Sequence, residues 1–166
     1  MFASYKKHNN QLYNNLVKLS RNKFFYENVK IKDRIESRVL LIFFHFALLL
    51  SSTKINNKKT ETQAIFDNIF QNIEYTIREL GEGDVAVNKK MKKLTQIFYD
   101  ILIKLDTRKT ALVDNESSLL KKYFKDQNSE LLNIEELKDY FTKFQDFCFA
   151  LDVKNMLNGS FNFVYK

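Results

Sequence analysis

Residues 39–50 read VLLIFFHFALLL, and the length of this stretch decides the fold. The run is 12 residues long, and the uncharged stretch extends to 15 when carried to Thr53. Arg38 and Lys54 bracket it. A helix crossing a bilayer needs about 20 apolar residues, whereas a shorter run is usually a helix buried in a core. Apolar residues occupy every face of the run, so the 3.6-residue alternation of a surface helix is lost; a helix enclosed by others looks this way. The stretch predicts a central core helix, with membrane insertion as the alternative.

The flanking segments supply the helices that would enclose it. Upstream, Leu12, Leu16 and Leu19 with Tyr13 fit a short amphipathic helix, and Phe24, Phe25 and Tyr26 follow as an aromatic cluster. Downstream, Ser51 to Thr60 is a polar connection, with Thr60 and Gln63 placed to form a capping box. Ile65, Phe66, Ile69, Phe70, Ile73, Ile77 and Leu80 then mark one helix face, which Gly81 ends as a left-handed C-cap. Val87, Met91, Leu94, Phe98, Ile101 and Leu105 step alternately by four and three, a second helical seam. Leu119, Leu120, Tyr123 and Phe124 mark a further amphipathic stretch. Another opens at Asn133, with Glu136 as its capping partner, and runs through Leu137, Phe141, Phe144, Cys148 and Leu151. The tail from Asn158 leaves the helical period, either as a docked extended segment or as a frayed end. The expectation is an all-α, single-domain bundle of about six helices over residues 1–166, with residues 1–8 and 158–166 as its flexible ends.

Composition narrows the class further. The chain has 166 residues, 45% of them hydrophobic, with 16 Phe and no Trp, too apolar for a disordered chain. Three Gly and no Pro all but exclude a sandwich or barrel of many short strands. A single Cys excludes a disulfide framework and every Cys-based zinc site, and two His, at 8 and 45, leave little for a histidine site, so no metal is expected. Met1 to His8 has no apolar core of a signal peptide. The expected location is cytoplasmic, with peripheral attachment to the inner face of the cytoplasmic membrane as a variant.

The net charge is +7, unevenly spread. Residues 1–60 hold 12 Lys+Arg against 3 Asp+Glu, residues 61–110 hold 8 against 8, and residues 111–166 hold 7 against 9. A basic end suits a ribosome, nucleic acid or an anionic membrane surface. AT-rich coding, which also yields the 17 Asn, produces the same bias without selection for binding and is the favoured explanation, since charge runs usually end as solvated faces. No nucleic-acid-binding motif accompanies the charge, so no specific nucleic acid is expected.

Few residues suggest chemistry. His45 sits between Phe44 and Phe46 and reads as a core histidine bonded to a backbone or hydroxyl group. Cys148 lies between Phe147 and Phe149 and reads as an inert packing thiol. Glu74, Arg78 and Glu79 are one helical turn apart, and no Glu-x-x-His pair supports a di-iron bundle. Gly81-Glu82-Gly83-Asp84 lacks the following Lys and Ser/Thr of a phosphate loop and reads as a tight connection with Asp84 near a helix N-terminus. Catalytic residues are none, and no cofactor is expected.

Two blocks carry a resemblance. Residues 12–50 run LYNNLVKLSRNKFFYENVKIKDRIESRVLLIFFHFALLL, and residues 64–102 run AIFDNIFQNIEYTIRELGEGDVAVNKKMKKLTQIFYDIL. Together they resemble the ubiquinol–cytochrome c chaperone family. The matching positions of the first block are Leu12, Tyr13, Arg21, Phe25, Tyr26, Asp33, Arg38 and His45. Those of the second, the more specific block, include Phe66, Asp67, Phe70, Arg78, Glu79, Gly81, Gly83, Asp84, Lys89, Lys92, Phe98 and Tyr99. Ile31-Lys32-Asp33 departs from the Val-Pro that often precedes this Asp in the family, and Asn88 and Lys90 stand where small residues are usual. The lack of a presequence resembles the bacterial branch.

The resemblance implies a non-catalytic assembly factor for cytochrome b or the ubiquinol–cytochrome c reductase complex, respiratory complex III. The implied partners are newly made cytochrome b or another subunit of the complex, and a small partner protein. A basic adaptor on the ribosome or an anionic membrane surface is the alternative. An enzyme acting on an isoprenoid or quinone-like ligand is a third reading, but the paired Asp-rich motifs for metal–diphosphate chemistry are missing. A chaperone must hold an apolar client reversibly, which calls for a groove lined by aromatics and Met with a polar rim. The candidate client- or partner-binding residues are Arg78, Gly81, Gly83, Asp84, Lys89, Lys92, Lys93 and Tyr99. Each has a structural explanation beside the functional one: corner geometry, a salt bridge, solvation, or core packing with an exposed hydroxyl.

Overall fold

The computed structural model describes residues 10–52, 59–105, 112–125 and 131–166. Among these residues the secondary structure is entirely helical. Six longer helices are α1 (Gln11–Ser20), α3 (Ile35–Ser51), α4 (Lys59–Glu79), α5 (Asp84–Lys104), α6 (Leu112–Phe124) and α7 (Ile134–Ala150). Two short ones, α2 (Lys23–Glu27) and α8 (Val153–Asn158), complete the set. No helix among the described residues is long and apolar enough to cross a membrane. The all-α expectation holds, and α2 and α8 are what it lacked.

The apolar run becomes α3, buried on every side from Leu41 to Leu49. It packs against α1, α5 and α7, while α4 lies on α5, and α6 touches both α5 and α7. Two aromatic clusters fill the space around it. Phe43 and Phe46 meet Phe98 at 5.3 Å between ring centres, with Phe70 stacked on Phe43 at 5.4 Å. On the opposite side Phe25, Tyr140, Phe141 and Phe144 surround His45. Offset and edge-on ring pairs of this kind add about 0.5–1.5 kcal/mol each beyond the area they bury.

Asparagine, abundant for whatever reason, is put to local use. Asn10, Asn22 and Asn133 cap α1, α2 and α7, each accepting a backbone N–H of the first turn at 2.9–3.1 Å. The Asn133–Glu136 cap is the one expected from sequence. The capping box at Thr60 is not formed: α4 already begins at Lys59, and the Gln63 amide donates forward to Asp67 at 2.8 Å.

The tail is docked. Gly159 closes α8 in the left-handed conformation, φ +68°, and the chain then runs extended. Asn15 donates to the carbonyls of Gly159 and Phe161 at 3.1 and 2.7 Å. Phe161, Phe163 and Tyr165 alternate onto the bundle, against Phe147, Phe144 and Phe24 respectively. Residues 1–8, expected to be a flexible end, lie outside the described residues.

Candidate functional site

The connection between α4 and α5 is built as its glycines suggest. Gly81 follows the last turn of α4 with φ +88°, a conformation that costs other residues about 1–2 kcal/mol. Gly83 is the N-cap of α5 with ordinary extended backbone, and Asp84 opens the helix. Arg78 donates to Glu74 one turn back, at 2.9 and 3.1 Å, and to Asp84 across the corner. Glu74 and then Asp84 push the already high guanidinium pKa higher still. Arg78 and Asp84 thus clamp two helix ends together, and no atom lies within 4 Å of a Cβ placed on Gly81 or Gly83.

The candidate lysines form a ridge along α5, with Lys93 at its edge toward a groove between α3 and α5. Lys90, Lys93, Leu94 and Ile97 recur at i, i+3, i+4 and i+7 and share one side. Lys89, Lys92 and Tyr99 fall on the outward side, with exposed Val85 and Ile103. Tyr99 is 45% exposed, and its ring lies 5.7 Å from Phe66 and 6.0 Å from Phe98. Of the candidate residues, the structure joins Arg78 to Asp84 and sets Gly81 and Gly83 at the same corner. Of the candidates on α5, Lys93 alone lines that groove.

Lys93 stands on the rim of an apolar groove of about 350 Å³. Ile35, Val39 and Leu40 of α3 form one wall, Ile77 of α4 and Leu80 just past its end the side near the corner, and Leu94 and Ile97 of α5 the other wall. Tyr123 of α6 closes the far end, with Glu36, Lys90 and Lys93 around the opening. Leu80 is 59% exposed, a large aliphatic side chain left in water at the mouth. The walls are mostly aliphatic, not the aromatic and Met surface expected. The phenylalanines go instead to the core, where Phe25, Phe43, Phe44, Phe46, Phe70, Phe98, Phe124, Phe141 and Phe144 are all buried. Ile97 was the available sequence signal for the groove: it is apolar yet lies off the α5 seam, beside Leu94.

Tyr123 is held in place by Asp100 of α5. That carboxylate accepts from Lys104 and Lys122, each at 2.8 Å, and from the Tyr123 hydroxyl. Burial would raise the Asp100 pKa, but these donors outweigh it and hold the carboxyl well below the usual range. A second hollow adjoins the groove, sharing Glu36, Leu40 and Tyr123. It has a volume of about 250 Å³, and Lys30, Lys32, Arg34 and Lys125 make it strongly basic. A third, polar hollow lies between α1 and the tail, lined by Asn14, Asn15 and Lys18 among others. Glu36 is the sole carboxylate lining these three clefts.

The remaining candidates for chemistry are structural. His45 is fully buried, with Nδ1 2.6 Å from the Leu41 carbonyl and Nε2 2.8 Å from the Tyr140 hydroxyl. A carbonyl can only accept, so Nδ1 carries the proton and Nε2 accepts from Tyr140. Burial lowers the His45 pKa to about 4, against a smaller opposing pull from the Leu41 carbonyl. Cys148 is fully buried, and burial pushes its thiol up to about 12. Asp33 receives a bidentate bond from Arg38 at 2.7 and 2.9 Å, which ties the start of α3 to the preceding loop. No group of three or more His, Cys, Asp or Glu among the described residues could hold a metal ion.

The family model described as ubiquinol–cytochrome C chaperone matches residues 27–161, most of the chain and all of the groove. The chain belongs to this family. The crystal structure of the Cbp3 homolog from Brucella abortus superposes on the chaperone with a TM-score of 0.70 at 21% sequence identity. The match covers 93% of this chain and 87% of that one, so the two share a fold. No curated protein sequence matches the chaperone. Several polar residues of the two resemblance blocks have visible work: Asp33 with Arg38 ties α3 to the loop before it, Arg78 with Asp84 joins α4 to α5, and His45 ties α3 to α7.

Proposed function

We propose that this chaperone assists assembly of ubiquinol–cytochrome c reductase by holding an apolar segment of newly made cytochrome b, or of another subunit of the complex, in the groove between α3, α4 and α5. The observation that carries the reading is the groove itself. An apolar cleft with Leu80 left exposed at its mouth costs hydration free energy unless another molecule covers it. Membership of the family supports the choice of client. The action is binding and release, without covalent chemistry, cofactor or metal. The outward side of α5, with Val85, Lys89, Lys92, Tyr99 and Ile103, is the surface we assign to a small partner protein. Arg78, Gly81, Gly83 and Asp84 serve both surfaces by fixing the angle between α4 and α5.

Leu80→Glu tests the proposal. The side chain is more exposed than buried, so the fold should change by no more than about 0.5 kcal/mol, yet a carboxylate now stands in the groove mouth. In a host that makes the complex, the variant should accumulate normally while mature complex III falls and cytochrome b no longer co-purifies. Normal complex III with undiminished co-purification would refute the groove as client site. The second reading, a basic adaptor on ribosomes or anionic membranes, draws on the basic residues of the first third of the chain. It requires binding that falls steeply with salt.

A further inference from the structure

The basic hollow beside the groove contains an anomaly. Lys30 has φ +67°, alone among the described non-glycine residues in being left-handed. It follows the end of α2, where the Ile31 N–H bonds back to the Phe25 carbonyl at 2.9 Å. Glycine, or Asn, is the usual occupant of a left-handed position. Lysine there costs roughly 1–2 kcal/mol that glycine would avoid. Its side chain lines the hollow, as does that of Lys125 at the end of α6. Among the described residues neither of these lysines, nor Lys93 across the groove, has a carboxylate partner; Lys90 differs, being paired with Glu82.

The apolar groove is therefore flanked by cations without a carboxylate partner among the described residues, Lys93 on one side and Lys30 with Lys125 at the far end. We infer that the two clefts form one site for an amphipathic protein helix, with its apolar stripe in the groove and acidic residues beside that stripe meeting Lys30, Lys93 and Lys125. This deepens the chaperone reading and rests on it, adding that the client segment is chosen by flanking carboxylates as well as by its apolar face. Cations spread along the groove match carboxylates spaced along a helix. A single lipid headgroup would engage one end of the joined clefts only.

Binding of fluorescein-labelled synthetic helical peptides, read by anisotropy, tests this. One peptide carries an apolar i, i+3, i+4, i+7 stripe flanked by Glu; a second has Gln at the flanking positions. The Glu peptide should bind roughly three- to tenfold tighter, two exposed charge pairs contributing up to about a factor of five each. The advantage should shrink as salt rises. Lys30→Asn should erase much of it without loss of stability, since Asn tolerates the left-handed conformation; Lys93→Gln should do the same. Leu80→Glu should weaken both peptides. Equal affinity for the two peptides would overturn the charge inference and leave the apolar groove standing. Failure of both peptides to bind would overturn the inference and the groove reading together. Failure of the peptides alongside Lys30-dependent binding to phosphatidylglycerol vesicles would replace it with a lipid-surface role.

Discussion

Acidification should expose the cost of burying His45. The unfolded side chain titrates near 6.5, whereas burial lowers it to about 4 in the fold. Between these values the unfolded chain binds the extra proton and the native chain does not, so stability rises with pH across the window and is level above it. The folded state thus keeps the full contribution above about pH 6.5 and loses it as pH falls toward 4. The shift corresponds to about 3 kcal/mol in all, of which roughly three-quarters should be gone at about pH 4.5. Asp33, Asp100 and Asp139, all lowered from 3.8, behave oppositely to a raised acid but give way only as pH nears 4 and below. The interval from about 7 to 4.5 therefore belongs mainly to His45. The comparison is a double variant, His45→Phe with Tyr140→Phe, which removes both polar partners and keeps ring-shaped side chains. Replacing a hydrogen-bonded pair in this way is nearly neutral, whereas Tyr140→Phe alone should cost about 1–3 kcal/mol by orphaning Nε2. Urea unfolding followed by circular dichroism, at several pH values, gives the stability of each protein. If the wild type and the double variant lose equal stability between about pH 7 and 4.5, the neutral buried histidine is refuted.

Three further outcomes follow from the backbone and the core. Gly159→Ala should lower stability by at least about 2 kcal/mol, because the left-handed backbone disfavours it and its Cβ would stand 2.6 Å from the Leu12 backbone; a loss under about 0.5 kcal/mol in thermal unfolding would contradict this close packing of α8 on α1. The two corner glycines should respond differently: Gly81→Ala should cost about 1 kcal/mol for its positive φ, while Gly83→Ser should gain a few tenths by supplying an N-cap oxygen, and equal losses would show the corner misassigned. Cys148 should resist a disulfide reagent in the folded protein and react only at the rate of opening; rapid labelling under native conditions would contradict its burial and raised pKa.

What the sequence disclosed and what it hid differ by range. The 12-residue run read as a core helix because it is too short to span a bilayer and apolar on every face, and α3 is that helix. The α5 seam and the Gly81 stop were legible because period and cap are local properties. His45 was legible in kind, a core histidine bonded to backbone or hydroxyl, but its hydroxyl partner Tyr140 stands 95 residues away and no local pattern points to it. Lys30 was hidden for the opposite reason: Val29-Lys30-Ile31 contains no glycine to advertise a left-handed turn. The groove was hidden because it belongs to no single helix. Its wall residues Ile35 and Val39 come just after the Asp33–Arg38 clamp begins, and Ile77 and Leu80 straddle Arg78 just before the Asp84 clamp. The groove is thus strung between the two corners that the resemblance blocks contain. A charged pair that sets a corner also sets the angle of the helix leaving it, so these pairs shape the cleft.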